Sequence, residues 1–225
     1  GIVMRCAGHH ARVQLQQGLV QLGVQGQDFL EVRARHAHRG GGAMRIGIVL
    51  PDISESYLKL ARQIGCTDIV TTLKGAAGAR PIWEYRDLIV QRQRIEDAGL
   101  KWTVVESLQP PEVIKLGLAG RDEAIEQWCA SLRNIGAAGI PIMCYNWMPV
   151  HSWLRTSFTT RVRGDALATS YKHELMERAP LTWAGVVSED RLWEALEYFL
   201  RAAVPVAEEA GVQLAIHPDD PPISP

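Results

Sequence analysis

Cysteine is scarce in this 225-residue chain, and the four present, Cys6, Cys66, Cys129 and Cys144, stand far apart with no Cys-x-x-Cys pair. That spacing gives no disulfide framework. No signal-peptide pattern and no apolar run long enough to span a bilayer occurs, so the expectation is a reduced, cytoplasmic protein with no membrane partner. Net charge is nearly lacking too: 24 Lys and Arg against 25 Asp and Glu leave a formal charge of −1. Such a balance supplies no long-range field for a nucleic-acid backbone, which argues against nucleic acid as a partner. What the chain does have is apolar bulk, 47% hydrophobic residues against 22% charged, enough for one substantial core.

Residues 1–43 differ from everything after them, being rich in Gln and Gly, with His9, His10, His36 and His38, and ending in Arg39-Gly40-Gly41-Gly42. They read as a leader rather than a fold, disordered or non-native, with Met44 as a natural start. Val13, Leu15, Leu19, Val20 and Leu22 make a weak amphipathic patch, but Gly18, Gly23 and Gly26 would each cost a helix about 1 kcal/mol relative to Ala. His36 and His38 have no carboxylate or Cys at ligand spacing, so a solvated tail is preferred to a metal site.

From Met44 onward one theme repeats: an amphipathic helix ends in Gly, and a short β-rich run follows. The junctions are Gly65, Gly99, Gly139 and Gly211, each suited to the left-handed position that closes a helix. The expected strands are Arg45 to Leu50, Asp68 to Leu73, Trp102 to Glu106, Ile142 to Asn146 and Gln213 to His217. Between them, Leu58/Ala61/Ile64, Leu88/Ile89/Ile95, Ile125/Trp128/Cys129/Leu132/Ile135 and Leu192/Trp193/Leu196/Phe199/Leu200/Ala203 mark core-facing helix stripes. Alternating βα units imply parallel strands with right-handed crossovers. Pro51-Asp52-Ile53-Ser54 after the first strand is no Gly-rich phosphate loop, which disfavours a nucleotide-binding sheet.

Polar residues recur at the strands' carboxyl ends: Thr72, Glu106, Asn146 and His217. Parallel α/β sheets and barrels place ligand-contacting groups there, because the strand is rigid and the following loop is free to vary. Ala215-Ile216-His217-Pro218-Asp219-Asp220-Pro221-Pro222 is the strongest local signal. An apolar strand delivers an imidazole fit for a divalent metal, and Asp219 or Asp220 follows as its orienting partner or as an acid-base group. Glu106 is a candidate metal ligand, base or Arg partner. Asn146 can donate and accept, which fits a polyol hydroxyl. Tyr145 and Trp147 alternate with it and are expected to pack outward, and Cys144 is expected to be a small buried residue rather than a nucleophile. The long connection 148–188, with Trp153, Trp183, several Arg and a Gly164-Asp165 turn, reads as a cap-like segment over an anionic ligand or a subunit contact.

Four segments together resemble the mannonate dehydratase family: Val105-Glu106-Ser107, residues 131–141 (Ser-Leu-Arg-Asn-Ile-Gly-Ala-Ala-Gly-Ile-Pro), Cys144-Tyr145-Asn146-Trp147-Met148-Pro149, and Ile216 to Pro222. Arg155-Thr156, Arg163 to Thr169 and Leu192 to Leu200 are similar to the same family, and the resemblance runs from about Met44 to Pro225. It implies a xylose-isomerase-like (β/α) TIM barrel, incomplete here with about five of eight βα units and C-terminally truncated. It also implies dehydration of D-mannonate to 2-keto-3-deoxy-D-gluconate in hexuronate breakdown, with Mn²⁺ or Fe²⁺. On that resemblance His217 is a metal ligand, with the family's further Cys, His and Asp ligands on later strands. Asp219, Asp220 and Glu106 are then the catalytic candidates, and Asn146, Arg155 and Arg163 the substrate contacts, the Arg forks being matched to a carboxylate. The first strand, Arg45-Ile46-Gly47-Ile48-Val49-Leu50, departs from the family's aromatic and Arg-containing opening.

Two open sheet edges predict a homo-oligomer, and an incomplete ligand set predicts a chain inactive by itself. The competing readings are a non-catalytic sugar-acid-binding or relic barrel protein and a metal-dependent sugar isomerase or epimerase.

Overall fold

The computed structural model describes residues 45–74, 81–106, 108–151 and 153–221, together with the backbone of four earlier strands. The chain forms two compact units, residues 1–44 and 45–221. In the first, β1 (Val3–Cys6), β2 (His9–Gln16), β3 (Leu19–Gly23) and β4 (Leu30–Arg33) pair antiparallel in the order β1-β2-β3-β4. From the sequence alone this stretch reads as a leader, disordered or non-native, without regular structure. The difference has a physical source in Val13-Gln14-Leu15-Gln16, whose period-two alternation suits a strand, and β2 pairs Arg12 with Gly23 and Gln16 with Leu19. His36, His38, Gly18 and Gly26 lie outside the described residues.

The second unit carries the expected alternation: β5 (Gly47–Val49), α1 (Glu55–Gln63), β6 (Asp68–Thr71), α2 (Tyr85–Asp97), β7 (Lys101–Glu106), α3 (Glu112–Lys115), α4 (Arg121–Ala137) and β8 (Ile142–Asn146). A hairpin of β9 (Ser157–Arg161) and β10 (Leu167–Ser170) follows, then α5 (Glu189–Ala210) and β11 (Gln213–His217). The hairpin lies inside the connection 148–188, which the sequence leaves without strands. Phe158-Thr159-Thr160 and Leu167-Ala168-Thr169 supply its β-prone flanks, and Gly164 supplies the turn at φ 71°.

Five strands form one parallel sheet in the order β11-β8-β7-β6-β5, so spatial order follows chain order with no reversal. Register separates its two faces. Thr71 pairs with Val105 and Val105 with Met143, and these, with Ile69 and Tyr145, are buried. Side chains alternate along a strand, so Val104, Glu106, Ile142, Cys144 and Asn146 share the opposite face, and β11 adds Ala215 and His217 to it. The helices therefore lie on one side of the sheet. Sequential order with helices on one face is the arrangement of a (β/α) barrel, whereas a doubly wound sheet has helices on both faces and a point of reversal.

The core sits beneath the ends of β7 and β8. Phe199 of α5 packs edge-on to Trp128 of α4 and Tyr145 of β8, with ring centroids 4.8 and 5.8 Å away, and Trp147 lies 5.3 Å from Phe199. The outward packing expected of Tyr145 and Trp147 is thus observed, and the Trp128 Nε1–H is satisfied by the Leu108 carbonyl at 3.1 Å. Helix α5 starts at Ser188, whose Oγ accepts from the Arg191 backbone N–H at 3.3 Å, and closes on Gly211 at φ 69°. Of the expected α1 stripe, Leu58 and Ala61 are buried but Ile64 is 55% exposed, since it already belongs to the turn into Gly65.

Candidate active site

Three strands deliver the polar residues expected at their carboxyl ends. Asn146 and His217 are register partners on adjacent strands, and Glu106 is the register partner of Cys144, two residues before Asn146. All three side chains therefore belong to the face away from the helices. Glu106 and His217 are half-buried, and Asn146 is 5% exposed.

Asn146 is held from two sides. Its Oδ1 accepts from the Met148 backbone N–H at 3.3 Å and from Lys115 Nζ at 3.5 Å, while its own backbone N–H donates to Gln109 Oε1 at 3.3 Å. Lys115, the last residue of α3, is only 4% exposed; it also donates to the Met148 carbonyl at 3.0 Å and to Glu112 Oε1 at 3.4 Å. Burial pulls the Lys115 ammonium below its ordinary range, and the Glu112 and then the Asp219 carboxylates offset part of that. Glu112 spends its second oxygen on the Val150 backbone N–H at 2.8 Å, so α3 fixes the turn after β8 through both residues. Sequence reasoning missed this arrangement. The available signal was a lone cation in an otherwise apolar run, Val113-Ile114-Lys115-Leu116.

Beyond β11 the chain turns through Pro218 into two carboxylates that differ in partner. Asp219 is solvent-exposed as a residue, yet enough protein surrounds its carboxyl to raise its pKa, with His217 and Lys115 pulling the other way. Asp220 is taken by Arg155 through two parallel bonds, Nη1 to Oδ1 at 3.1 Å and Nη2 to Oδ2 at 2.6 Å. Arg155 also donates from Nε to Thr169 Oγ1 of β10 at 3.1 Å and from Nη1 to the Leu154 carbonyl at 3.0 Å. The guanidinium fork expected to meet a ligand carboxylate is therefore filled by a carboxylate of the protein, and the hairpin is tied to the loop after β11. The Trp153 ring lies 6.4 Å from that of His217 and 5.9 Å from the Arg155 guanidinium carbon. Arg163 sits exposed in the 3₁₀ turn at the hairpin tip, and no hydrogen bond or ion pair of the described residues joins it to the strand ends.

The His217 Nδ1 lies 2.6 Å from the Pro218 carbonyl. An N–H there leaves Nε2 as the free lone pair, the tautomer a metal ligand needs. One imidazole does not make a divalent metal site, however, and among the described residues no group of three or more His, Cys, Asp or Glu is placed to hold an ion. Cys144 is half-buried, and burial first, then the Glu106 charge, push its thiol up to about 11, which keeps it protonated and inert as a nucleophile.

The family profile described as D-mannonate dehydratase (UxuA) matches residues 52–184 and 177–225. The chain belongs to the D-mannonate dehydratase family. Among its relatives, the mannonate dehydratase of Streptococcus pneumoniae (strain 70585) is 41% identical over 164 residues, 62% of this chain and 45% of that protein. The mannonate dehydratase of Thermotoga maritima is 34% identical over 174 residues, 64% of this chain and 48% of that protein. A solved family structure, the mannonate dehydratase of Streptococcus suis serotype 2, superposes with a TM-score of 0.72 at 34% identity, covering 82% of this chain and 54% of the other. The chain thus spans about half the length of the family relatives it matches. With that likeness, the five sequentially ordered parallel strands are an open part of a TIM barrel. No helix of the described residues is long and apolar enough to cross a membrane.

Proposed function

We propose that this chain carries part of the site of a hydro-lyase that converts D-mannonate to 2-keto-3-deoxy-D-gluconate and water in hexuronate catabolism. The observation that carries the reading is the row Glu106, Asn146, His217 on one face of adjacent strand ends, in a chain of the D-mannonate dehydratase family. In this reaction the C2–H and C3–O bonds break, the C3 hydroxyl leaves as water after gaining a proton, and the enol left behind becomes the 2-keto acid. Such an elimination needs a base beside the carboxylate-bearing carbon and an acid at the leaving hydroxyl.

Glu106 is the proposed base, since its carboxylate stands on the open face; Asp219 and Asp220 are the proposed acid-base groups on the loop that follows. Asn146 is the proposed contact to a substrate oxygen. Arg155 and Arg163 are the proposed carboxylate contacts, Arg155 only after Asp220 has released its fork. His217 is the proposed ligand to Mn²⁺ or Fe²⁺. The described residues do not complete that metal site, so no step is assigned to the ion. A cytoplasmic homo-oligomer goes with this reading.

The test is ligand-induced thermal stabilisation of the purified chain by D-mannonate, beside D-mannose, D-fructose and D-mannitol. A sugar-acid site responds to the carboxylate compound alone, because a guanidinium fork, once released by its protein carboxylate, pairs with a ligand carboxylate and gains nothing from a neutral polyol. A response to the neutral sugars without one to the acid would replace this reading with a sugar isomerase or epimerase.

A further inference from the structure

Asn146 can in principle present either end of its carboxamide to a ligand. Its surroundings leave one choice. Oδ1 faces two donors, the Met148 backbone N–H and the Lys115 ammonium, and reversing the amide would set an N–H₂ group against both. Among the described residues no acceptor is recorded for Nδ2, while register places the side chain on the face shared with Glu106 and His217.

Lys115 holds both Asn146 and the turn that follows it, through the Met148 carbonyl. It is more than nine-tenths buried, and among the described residues its bonds run to Asn146, the Met148 carbonyl and Glu112. A buried cation loses hydration that three hydrogen bonds restore only in part. A Met at the same position would pack without that loss, but it would orient neither Asn146 nor the Met148 carbonyl.

We propose that Lys115 is a positioning residue that fixes Asn146 as a hydrogen-bond donor at the strand ends, and that the ligand atom it receives is an oxygen acceptor of a sugar acid. The proposal rests on the sugar-acid reading above and adds the polarity of one contact and the residue that sets it. Discrimination follows: an oxygen lone pair is accepted at this point, and a ligand offering only an N–H donor is rejected.

Calorimetric titration of D-mannonate into the wild-type chain and three variants tests it. Asn146→Asp keeps the Lys115 contacts, and so the fold, but replaces the donor with a second oxygen; Lys115→Met removes the charge at similar length; Lys115→Arg retains a cation. Affinity is expected to fall about tenfold in Asn146→Asp and about fivefold in Lys115→Met, the worth of one hydrogen bond, with recovery in Lys115→Arg at unchanged melting temperature. Wild-type binding with both Asn146→Asp and Lys115→Met within twofold of it overturns the inference and leaves the sugar-acid reading standing. Absence of mannonate binding by the wild-type chain overturns both. If Lys115→Met does not fold, Asn146→Asp decides alone.

Discussion

Replacing Gly136 by Ala sets two effects of opposite sign against each other. Gly136 lies one residue before the end of α4, where it passes Ala210, the last residue of α5. A methyl group at 136 would run into the Ala210 carbonyl oxygen and lie 2.8 Å from its Cβ and 3.1 Å from its carbonyl carbon. Carbon atoms sit comfortably about 3.5–4.0 Å apart, so the helices would have to separate by roughly 0.7 Å or more. Little slack exists, because Ala210 is followed directly by the Gly211 cap and β11. Overpacking of this kind costs about 1–3 kcal/mol, while Gly to Ala within a helix returns at most about 1 kcal/mol. The expected net is a loss of about 1–2 kcal/mol, a lower urea midpoint at unchanged m-value, and a melting temperature down by about 2–8 °C. A Gly136→Ala chain as stable as wild type, or more so, would refute the close approach of α4 and α5, because propensity alone predicts that sign.

The Arg155–Asp220 pair should be modest in energy: Asp220 is 40% exposed at its side chain, and screening reduces even a bidentate bridge to about 1 kcal/mol or less of coupling in a double-mutant cycle with Ala at both positions; additive single-mutant effects would show that the hairpin is not tied to the loop. Asp68 should give the sheet an acid limit. Desolvation raises its pKa, but hydrogen bonds from Arg45, Thr103 and Thr67 outweigh that and leave it below 3.8, so the stability it adds is complete above its unfolded value and is lost as pH falls through the folded one. Urea midpoints between about pH 5 and pH 2 should therefore fall more steeply for wild type than for Asp68→Asn, and parallel curves would contradict the assignment. Cys144, with its thiol moved from 9.0 to about 11, should react with a thiol reagent at pH 8 about a hundredfold slower than a peptide cysteine; labelling at the peptide rate would contradict its burial on the sheet.

Element existence was legible where chemistry repeats. The strands Ile142–Asn146 and Gln213–His217 fall where the glycine junctions place them, and every residue of the α4 stripe is buried. The first strand is shorter than its apolar run suggests, Gly47–Val49 rather than Arg45 to Leu50: the Arg45 side chain turns to pair with Asp68, and Leu50, whose backbone N–H still donates to the Val70 carbonyl at 3.2 Å, gives its own carbonyl to Thr71 Oγ1. The shared face of Glu106, Asn146 and His217 at the strand ends could be read because a strand fixes side-chain direction with period two. The roles of Arg155 and Asp220 could not, since a fork that matches a ligand carboxylate matches a protein carboxylate equally well, and only the folded loops decide which it meets. Lys115 escaped because its meaning lies in Asn146, 31 positions away.

The sheet's order also has a consequence in time. Between Glu106 and Ile142 lie 35 residues (142 − 106 − 1), and between Asn146 and Gln213 lie 66 (213 − 146 − 1). The longer connection costs only about 0.6 kcal/mol more to close, yet non-local parallel pairing is what slows folding. The imidazole of His217 thus rides on the strand whose docking spans the longest stretch of chain, and the site should be the last part of this sheet to mature. A folding intermediate with β5 to β8 in place would carry Glu106 and Asn146 but not yet His217, so the polar row comes into being only with the docking of α5 and β11.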